Sequence, residues 1–220
     1  MDGTLLDFYK SESVALSRVL EDIEIEPTDE IISLYSKINL AQWKRLEKGE
    51  IEREQVLVGR FEIFFDALGV KKDAVAARKS YERYLSQGHF FIEGAVNLLD
   101  ELSAKYDLYI ATNGTKKVQL SRIESSGIGR YFRDIFISED LGCNKPDRCF
   151  FEKCFEQIGK VERDECVIVG DSLSSDILGG NNTGIKTVWF NPNHEKTIPD
   201  VSVDFETDSL SDIPDILSKM

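Results

Sequence analysis

The spacing of apolar residues changes near residue 90. Between about residue 11 and residue 88, apolar side chains recur at i, i+3, i+4 and i+7, which places them on one face of an α-helix. The clearest sets are Leu16, Val19, Leu20 and Ile23; Ile31, Leu34, Tyr35 and Ile38; and Phe61, Phe64, Phe65 and Leu68. A proline at 27 and glycines at 49, 69 and 88 separate these stretches. The segment is therefore predicted to form a small bundle of about four helices.

Short apolar runs that alternate with helical stripes follow from Phe91 onward. The runs at 108–111, 135–137, 167–169 and 187–190 have the length and composition of buried strands. Alternation of strands with helices predicts an α/β fold, a Rossmann-like parallel sheet with helices on both faces. In such sheets ligands bind beyond the carboxyl ends of the strands. The polar residues that follow each run are therefore the candidates for chemistry.

Composition limits the possible partners. The 220 residues include 27 Lys and Arg against 40 Asp and Glu, so the net charge is −13. This charge argues against nucleic acid and against anionic membranes as partners. No apolar run is long enough for a membrane span, no leader pattern is visible, and the four cysteines form no Cys-x-x-Cys pair. These features predict a cytoplasmic protein with reduced thiols and no zinc site.

Two carboxylates follow the third apolar run, five residues apart. Asp171 and Asp176 repel each other at a strand end unless a cation lies between them. Mg²⁺ suits such a pair, because it prefers oxygen ligands and keeps several waters. The alternative is that one of the two carboxylates only caps the next helix.

Two further polar clusters fall at expected strand or loop ends. Thr112 and Asn113 offer a hydroxyl and an amide that can hold an anion such as a phosphoryl group, although Asn-Gly is also a common turn dipeptide. Lys145, which precedes Pro146, can neutralise a phosphoryl oxygen. The alternative for this lysine is an ordinary solvated surface charge.

In order and spacing these clusters resemble the haloacid dehalogenase (HAD) superfamily, a large group of Mg²⁺-dependent phosphatases. The similar segments are Asp2-Gly3-Thr4-Leu5-Leu6 for the end of the first motif, Thr112-Asn113 for the second, Lys145-Pro146 for the third and GDSLSSD over 170–176 for the fourth. The resemblance implies a HAD-like catalytic core at residues 1–10 and 89–220. It also implies a helical-bundle cap at 11–88, inserted after the first motif.

The resemblance also implies roles for the site residues. Asp2 would protonate the leaving alkoxide and then activate water, and its main-chain carbonyl would meet Mg²⁺. Thr112 and Asn113 would bind the transferring phosphoryl group, and Lys145 would offset its charge. Asp171 would ligate the metal, with Asp176 ligating through water or orienting the other ligands.

Three longer stretches resemble one branch of the superfamily, the bacterial noncanonical pyrimidine 5′-nucleotidases. They are INLAQWKRLEKGEI at 38–51, DLYIATNG at 107–114 and FISEDLG at 136–142. This resemblance implies a nucleoside monophosphate as substrate. Whether the protein works as a monomer or as a homodimer stays open. Asn39 and Trp43 are then candidates to face the base, since aromatic stacking tolerates any base. The alternative is that Trp43 packs within the bundle.

Two other functions stay open. A haloacid dehalogenase would share the fold, but Asp2 and Asp171 speak against it, because release of halide needs no proton donor at the position of Asp2. A non-catalytic HAD-fold binding protein is the other alternative.

One element of the HAD pattern is absent. The nucleophilic aspartate should stand two positions before Asp2, at the end of an apolar strand, and the chain begins at Met1. We expect the natural protein to continue upstream, and this chain by itself to have little or no phosphatase activity. The absence should also leave the strands of the second and fourth motifs with exposed edges. The alternative is a true start and a protein that has lost its chemistry.

Overall fold

The computed structural model describes residues 1–220 and divides them into two compact units. The α/β unit contains residues 1–7, 91–116 and 126–220, and the helical unit contains residues 8–90 and 117–125. The first boundary lies three residues before the one expected at 10/11, and the second lies two residues after the one expected at 88/89. The main difference from the expectation is the segment 117–125, which belongs to the helical unit.

Four helices form most of the helical unit. They are α1 (Phe8–Asp22), α2 (Asp29–Glu47), α3 (Arg53–Ala67) and α4 (Ala74–Leu85). The side chains of Thr28 and Asp73 accept hydrogen bonds from main-chain amides in the first turns of α2 and α4, which fixes where these helices begin. The apolar stripes meet inside the bundle, where Leu16, Tyr35 and Phe61 are fully buried. The predicted bundle of four helices is confirmed.

A fifth helix, α6 (Lys116–Ser126), contributes residues 117–125 to the helical unit. Val118 joins the apolar core of the helical unit. The fully buried guanidinium of Arg122 donates to the carbonyl of Gly88 at 2.7 Å and to Oγ of Ser11 at 3.4 Å. These contacts explain why residues 117–125 pack with the bundle.

Five parallel strands form the α/β unit. They are β1 (Leu108–Thr112), β2 (Phe132–Ile137), β3 (Val167–Gly170), β4 (Lys186–Phe190) and β5 (Phe205–Thr207). The remaining helices of this unit are α5 (Ala95–Ser103), α7 (Ser138–Leu141), α8 (Arg148–Ile158), α9 (Leu178–Thr183) and α10 (Ile213–Leu217). The α/β class predicted from the sequence is confirmed, as are its first four strands. The three-residue edge strand β5 was not predicted.

The strands form two sheets rather than one, with orders β1-β2 and β3-β4-β5. No strand of the 220 residues pairs with the second edge of β1 or of β3. The break falls where the HAD resemblance places the strand of the first motif, between the strands of the second and fourth motifs. None of the helices combines the length and apolar character that a bilayer crossing needs.

Candidate active site

The carboxyl end of β1 is tied to the loop that carries Lys145. Asn113, directly after the last strand residue Thr112, donates from Nδ2 to the main-chain carbonyl of Lys145 at 2.9 Å. Its Oδ1 accepts from the main-chain amide of the same lysine at 2.8 Å. The following peptide bond, to Pro146, is cis. Asn113 therefore does more than make a turn, since its amide fixes the lysine backbone from two sides.

Lys145 is a buried cation rather than a surface charge. Its side chain is 7% exposed. The ammonium Nζ donates to the carbonyl of Ala111 in β1 at 2.8 Å and to Oδ1 of Asp176 at 2.5 Å. Because Asp176 follows β3, the ammonium links the carboxyl ends of the two strands that border the break in the sheet.

Asp171 lies immediately after β3 and is held at both its main chain and its side chain. Its Oδ1 accepts from the hydroxyl of Thr4 at 2.9 Å, and its carbonyl accepts from Nε1 of Trp189 in β4 at 2.9 Å. Burial, followed by the charge of Asp176, raises the pKa of the Asp171 carboxyl to about 6. This carboxylate is therefore poised to gain from a cation.

Asp176 lies in a π-helical turn at 173–177 and is almost fully buried. Its Oδ2 accepts from the main-chain amide of Ser172 at 3.2 Å, while its Oδ1 faces Lys145. The Ser172 side chain is the N-cap of the turn and accepts from the amide of Ser175. Asp176 thus combines a capping-type contact with an ion pair to Lys145.

The segment that carries Asp2 packs against Asp171. The main-chain amide of Gly3 donates to the carbonyl of Leu6 at 2.9 Å, which closes a tight turn. A Cβ built on Gly3 would lie 2.1 Å from Oδ2 of Asp171, and the neighbouring Thr4 bonds the same carboxylate. Asp2 is thereby held in the same edge region as Asp171.

A second close approach involves Gly170, the last residue of β3. A Cβ at this position would lie 2.3 Å from Oδ2 and 2.5 Å from Cβ of Asp176. We expect Gly170→Ala to lower the free energy of unfolding by about 1–3 kcal/mol, because the buried turn has to shift. The matched control is Gly59→Ala in α3, where the nearest atom lies at 3.9 Å. That change should stabilise by about 0.5–1 kcal/mol. Urea unfolding of both variants measures the difference, and equal effects would show that the packing around Gly170 is loose.

The oxygen donors that follow the carboxyl end of β3 suit Mg²⁺. Asp171 and Asp176 offer carboxylate oxygens, and hard cations of this kind prefer oxygen ligands. No three side chains of His, Cys, Asp or Glu in the 220 residues form a group that could hold a metal ion. The carboxylates of Asp2, Asp171 and Asp176 therefore do not form a ready-made cage. Asp2 was expected to contribute its main-chain carbonyl, and Mg²⁺ commonly fills its other positions with water.

The predicted base-facing residues lie in the helical unit. Asn39 is 2% exposed. Its Nδ2 donates to Oε1 of Glu12 at 2.6 Å, and its Oδ1 accepts from Nη1 of Arg60 at 2.7 Å. Burial raises the pKa of the Glu12 carboxyl. Trp43 is half-buried beside the guanidinium of Arg53, whose carbon lies 5.8 Å from the ring centre. A role of Asn39 and Trp43 toward a substrate stays a prediction.

Sequence reasoning assigned no role to several residues that shape this site. Thr4 and Trp189 fix Asp171, and Gly170 makes room for Asp176. The position of Thr4 next to Asp2-Gly3 was a usable signal. The contact of Trp189 with Asp171 had no such signal, because a tryptophan in an apolar strand is normally a core residue. The Glu12–Asn39–Arg60 chain was also missed, because its members are distant in sequence.

A parallel α/β unit with a buried lysine between the ends of two strands, and a carboxylate pair after one of them, agrees with the resemblance to HAD-type hydrolases. The model of the haloacid dehalogenase-like hydrolase family matches residues 1–190, and the chain belongs to this family.

Three relatives match over nearly the whole chain. The HAD hydrolase YfnB of Bacillus subtilis is 36% identical over 99% of this chain and 93% of its own length. The pyrimidine 5′-nucleotidase PynA of Streptococcus pneumoniae is 39% identical over 100% of this chain and 93% of its own length. The pyrimidine 5′-nucleotidase YjjG of Escherichia coli is 30% identical over 99% of this chain and 95% of its own length. A crystal structure of YfnB bound to magnesium superimposes with a TM-score of 0.94, covering 99% of this chain and 95% of that one.

Proposed function

We propose that this chain has the fold and the site of a Mg²⁺-dependent phosphatase that hydrolyses nucleoside 5′-monophosphates, pyrimidine and noncanonical ones included. The observation that carries the proposal is the position of Lys145. Its buried ammonium lies between the carbonyl end of β1 and a carboxylate after β3. Such a cation stabilises the negative charge of a phosphoryl group at that edge. The substrate class is supported by the names of two full-length relatives, both pyrimidine 5′-nucleotidases.

Each candidate site residue has a role in the proposed reaction. Thr112 and Asn113 bind the phosphoryl oxygens, and Lys145 balances their charge. Asp2 gives a proton to the leaving 5′-oxygen and then removes one from the attacking water. Asp171 and the main-chain carbonyl of Asp2 would hold the metal, and Asp176 would ligate it through water or orient the other ligands. Mg²⁺, when bound, neutralises charge on the transferring group and fixes its orientation.

The proposed reaction proceeds through an aspartyl-phosphate, and the 220 residues contain no aspartate two positions before Asp2. We therefore propose that this chain by itself turns over little or no substrate. We also place the reaction in the cytoplasm, which is supported by the four cysteines being free thiols.

The test compares this chain with the same chain extended before Met1 by an apolar strand of about six residues that ends in aspartate. The extended chain is expected to release phosphate from nucleoside monophosphates only with Mg²⁺. The matched control is the same extension ending in asparagine, which should be inactive. In the active form, Asp2→Asn should lower the rate by about 10²–10⁴.

A panel of pyrimidine, purine and modified nucleotides, sugar phosphates and a 2-haloacid identifies the substrate class. Preference for sugar phosphates would reject the nucleotidase assignment, and release of halide would favour the dehalogenase. Equal turnover by the original and the aspartate-extended chain would reject the assignment of the motifs.

A further inference from the structure

Two of the four cysteines lie on either side of Lys145 in the chain. Cys143 follows the end of α7, and Cys149 lies in the first turn of α8. The thiol of Cys143 is hydrogen-bonded to the thiol of Cys149. The folded chain therefore holds in contact the two sulfur atoms that a disulfide would join.

The main chain between the two cysteines folds back on itself. The amide of Asp147 donates to the carbonyl of Asn144 at 2.9 Å, which closes a tight turn. The side chain of Asp147 accepts from the amide of Cys149 at 2.8 Å and so begins α8. Asn113 holds the same segment through the main chain of Lys145. The contact between the thiols thus belongs to a segment that hydrogen bonds fix on both sides.

Cys143 and Cys149 differ in their surroundings. Sγ of Cys143 lies 3.7 Å from the carbonyl oxygen of Leu141, to which the ammonium of Lys153 also donates. Burial, followed by the hydrogen bond to Cys149, raises the pKa of the Cys143 thiol to about 12, while Lys153 acts in the opposite direction and Asp147 adds to the rise. Cys143 is therefore the thiol that keeps its proton and donates it toward the sulfur of Cys149.

The other two cysteines are placed differently. Cys154 is buried in an apolar cluster of the α/β unit, and Cys166 donates to the carbonyl of Glu162 at 3.5 Å. Cys143 and Cys149 are only half-buried, so a small reagent can reach them. Contact and access together single out this pair for thiol chemistry.

We propose that Cys143 and Cys149 form a modification site at which a peroxide closes an intramolecular disulfide around Lys145. The sulfur of Cys149 attacks one peroxide oxygen, the O–O bond breaks, and Cys149 becomes a sulfenic acid while water leaves. The sulfur of Cys143 then attacks the sulfur of Cys149. The S–S bond forms, the S–O bond breaks, and the hydroxide leaves as water with the proton of Cys143. The two thiols lose two electrons in total, and the peroxide is reduced to two waters.

The disulfide closes a ring over residues 143–149, which contains Lys145. Excess thiol reopens the ring by exchange, because the half-buried sulfurs stay accessible. In a compartment that keeps thiols reduced, such a bond is transient and forms when peroxide is present. The segment that carries the buried ammonium of the candidate site is then also the segment that oxidation constrains.

The test uses the 220-residue protein and measures mass, so its result is independent of the proposed phosphatase activity. The protein is treated with hydrogen peroxide, its free thiols are blocked with N-ethylmaleimide, and it is digested with trypsin. Trypsin cleaves after Arg148 but not before Pro146, so each cysteine falls in a separate peptide; these peptides are 134–148, 149–153, 154–160 and 164–186. We expect peptide 134–148 to be linked to peptide 149–153. The oxidised protein should stay a single chain, lighter by two hydrogen atoms, and dithiothreitol should reverse the change.

Serine variants and redox buffers examine the two parts of the proposal separately. Cys143→Ser and Cys149→Ser should each abolish the link, whereas Cys166→Ser, the matched control, should retain it. Mixtures of reduced and oxidised glutathione measure the equilibrium constant for closing the ring. This constant is expected to be at least about tenfold larger in the folded protein than in urea, because the fold already holds the sulfurs together.

A link between any other two peptides would overturn the proposal, as would a covalent dimer joined through Cys143 and Cys149. Oxidation of a cysteine to sulfinic acid without any disulfide would do the same, since the second thiol would then not reach the first. Equal equilibrium constants in the folded and the unfolded protein would show that the fold does not hold the pair together. That measurement needs no variant, so it decides the matter even if a serine variant does not fold.

Discussion

Replacing Lys145 by methionine is expected to lower the free energy of unfolding by about 3–5 kcal/mol near neutral pH without divalent cations. Methionine keeps most of the side-chain volume but removes the charge. The carboxylate of Asp176 would then lose its cationic partner inside the protein, and the carbonyl of Ala111 would lose its donor. A buried carboxylate without a partner is costly, because the interior does not replace the solvation that water provides.

The matched control removes an exposed lysine from an ion pair. Lys105 pairs with Glu101 at 2.7 Å, and both side chains are about half exposed. Lys105→Met should cost no more than about 0.5 kcal/mol. The double variant Lys145→Met with Asp176→Asn should recover a large part of the loss, because the uncompensated charge is gone. Urea unfolding of the four proteins measures these differences. A loss below about 1 kcal/mol for Lys145→Met would contradict the buried ion pair.

The predictable part of the fold is the part that local periodicity dictates. The stripe at Phe61, Phe64 and Phe65 lies inside the bundle because a helix places those positions on one face. The run at 167–169 forms β3 because short β-branched stretches favour buried strands. The strand β5 has only three residues and little apolar pattern, so nothing local indicated it.

Assignment of residues 117–125 to the helical unit was not predictable for a different reason. It depends on Arg122, which donates to the carbonyl of Gly88 and to the hydroxyl of Ser11. Ser11 lies 111 positions earlier in the chain. An arginine in a helix is usually exposed. Only the packed structure makes it a buried donor.

Some features of the candidate site were recognisable from the sequence and others were not. Asp171 and Asp176 were recognisable because they follow a buried run at short spacing, and the HAD resemblance gave their order. The burial of Lys145 was not recognisable, because nothing in the sequence distinguishes a buried lysine from an exposed one. Its bonds to Ala111 and Asp176 join positions more than thirty residues apart. Sequence patterns thus proposed the chemical groups, while the hydrogen bonds and charges around them required three-dimensional contacts.

The balance of these charges predicts that Asp171→Asn stabilises the metal-free protein near neutral pH. Burial and the charge of Asp176 raise the pKa of Asp171 from 3.8 to about 6. The folded protein therefore binds this proton more tightly than the unfolded chain, and stability falls as the pH rises from about 4 to 6. Above that range the full cost remains, about 3 kcal/mol for two pKa units. Asparagine removes most of it, so we expect a gain of about 1–3 kcal/mol near neutral pH and almost none near pH 4.

Magnesium should reverse the order of thermal stability of the original chain and the Asp171→Asn variant. A cation at Asp171 offsets the cost of its charge, so about 5 mM MgCl₂ is expected to raise the Tm of the original chain at neutral pH but to leave that of Asp171→Asn unchanged. Asp66→Asn, on an exposed position of α3, is the control and should respond to Mg²⁺ as the original chain does. Thermal unfolding with EDTA or MgCl₂ at both pH values measures all three proteins. A magnesium response in Asp171→Asn equal to that of the original chain would mean that the cation binds elsewhere. If Asp171→Asn is less stable than the original chain in EDTA at neutral pH, the Asp171 carboxylate of the original chain is already fully compensated by Thr4 and its other neighbours.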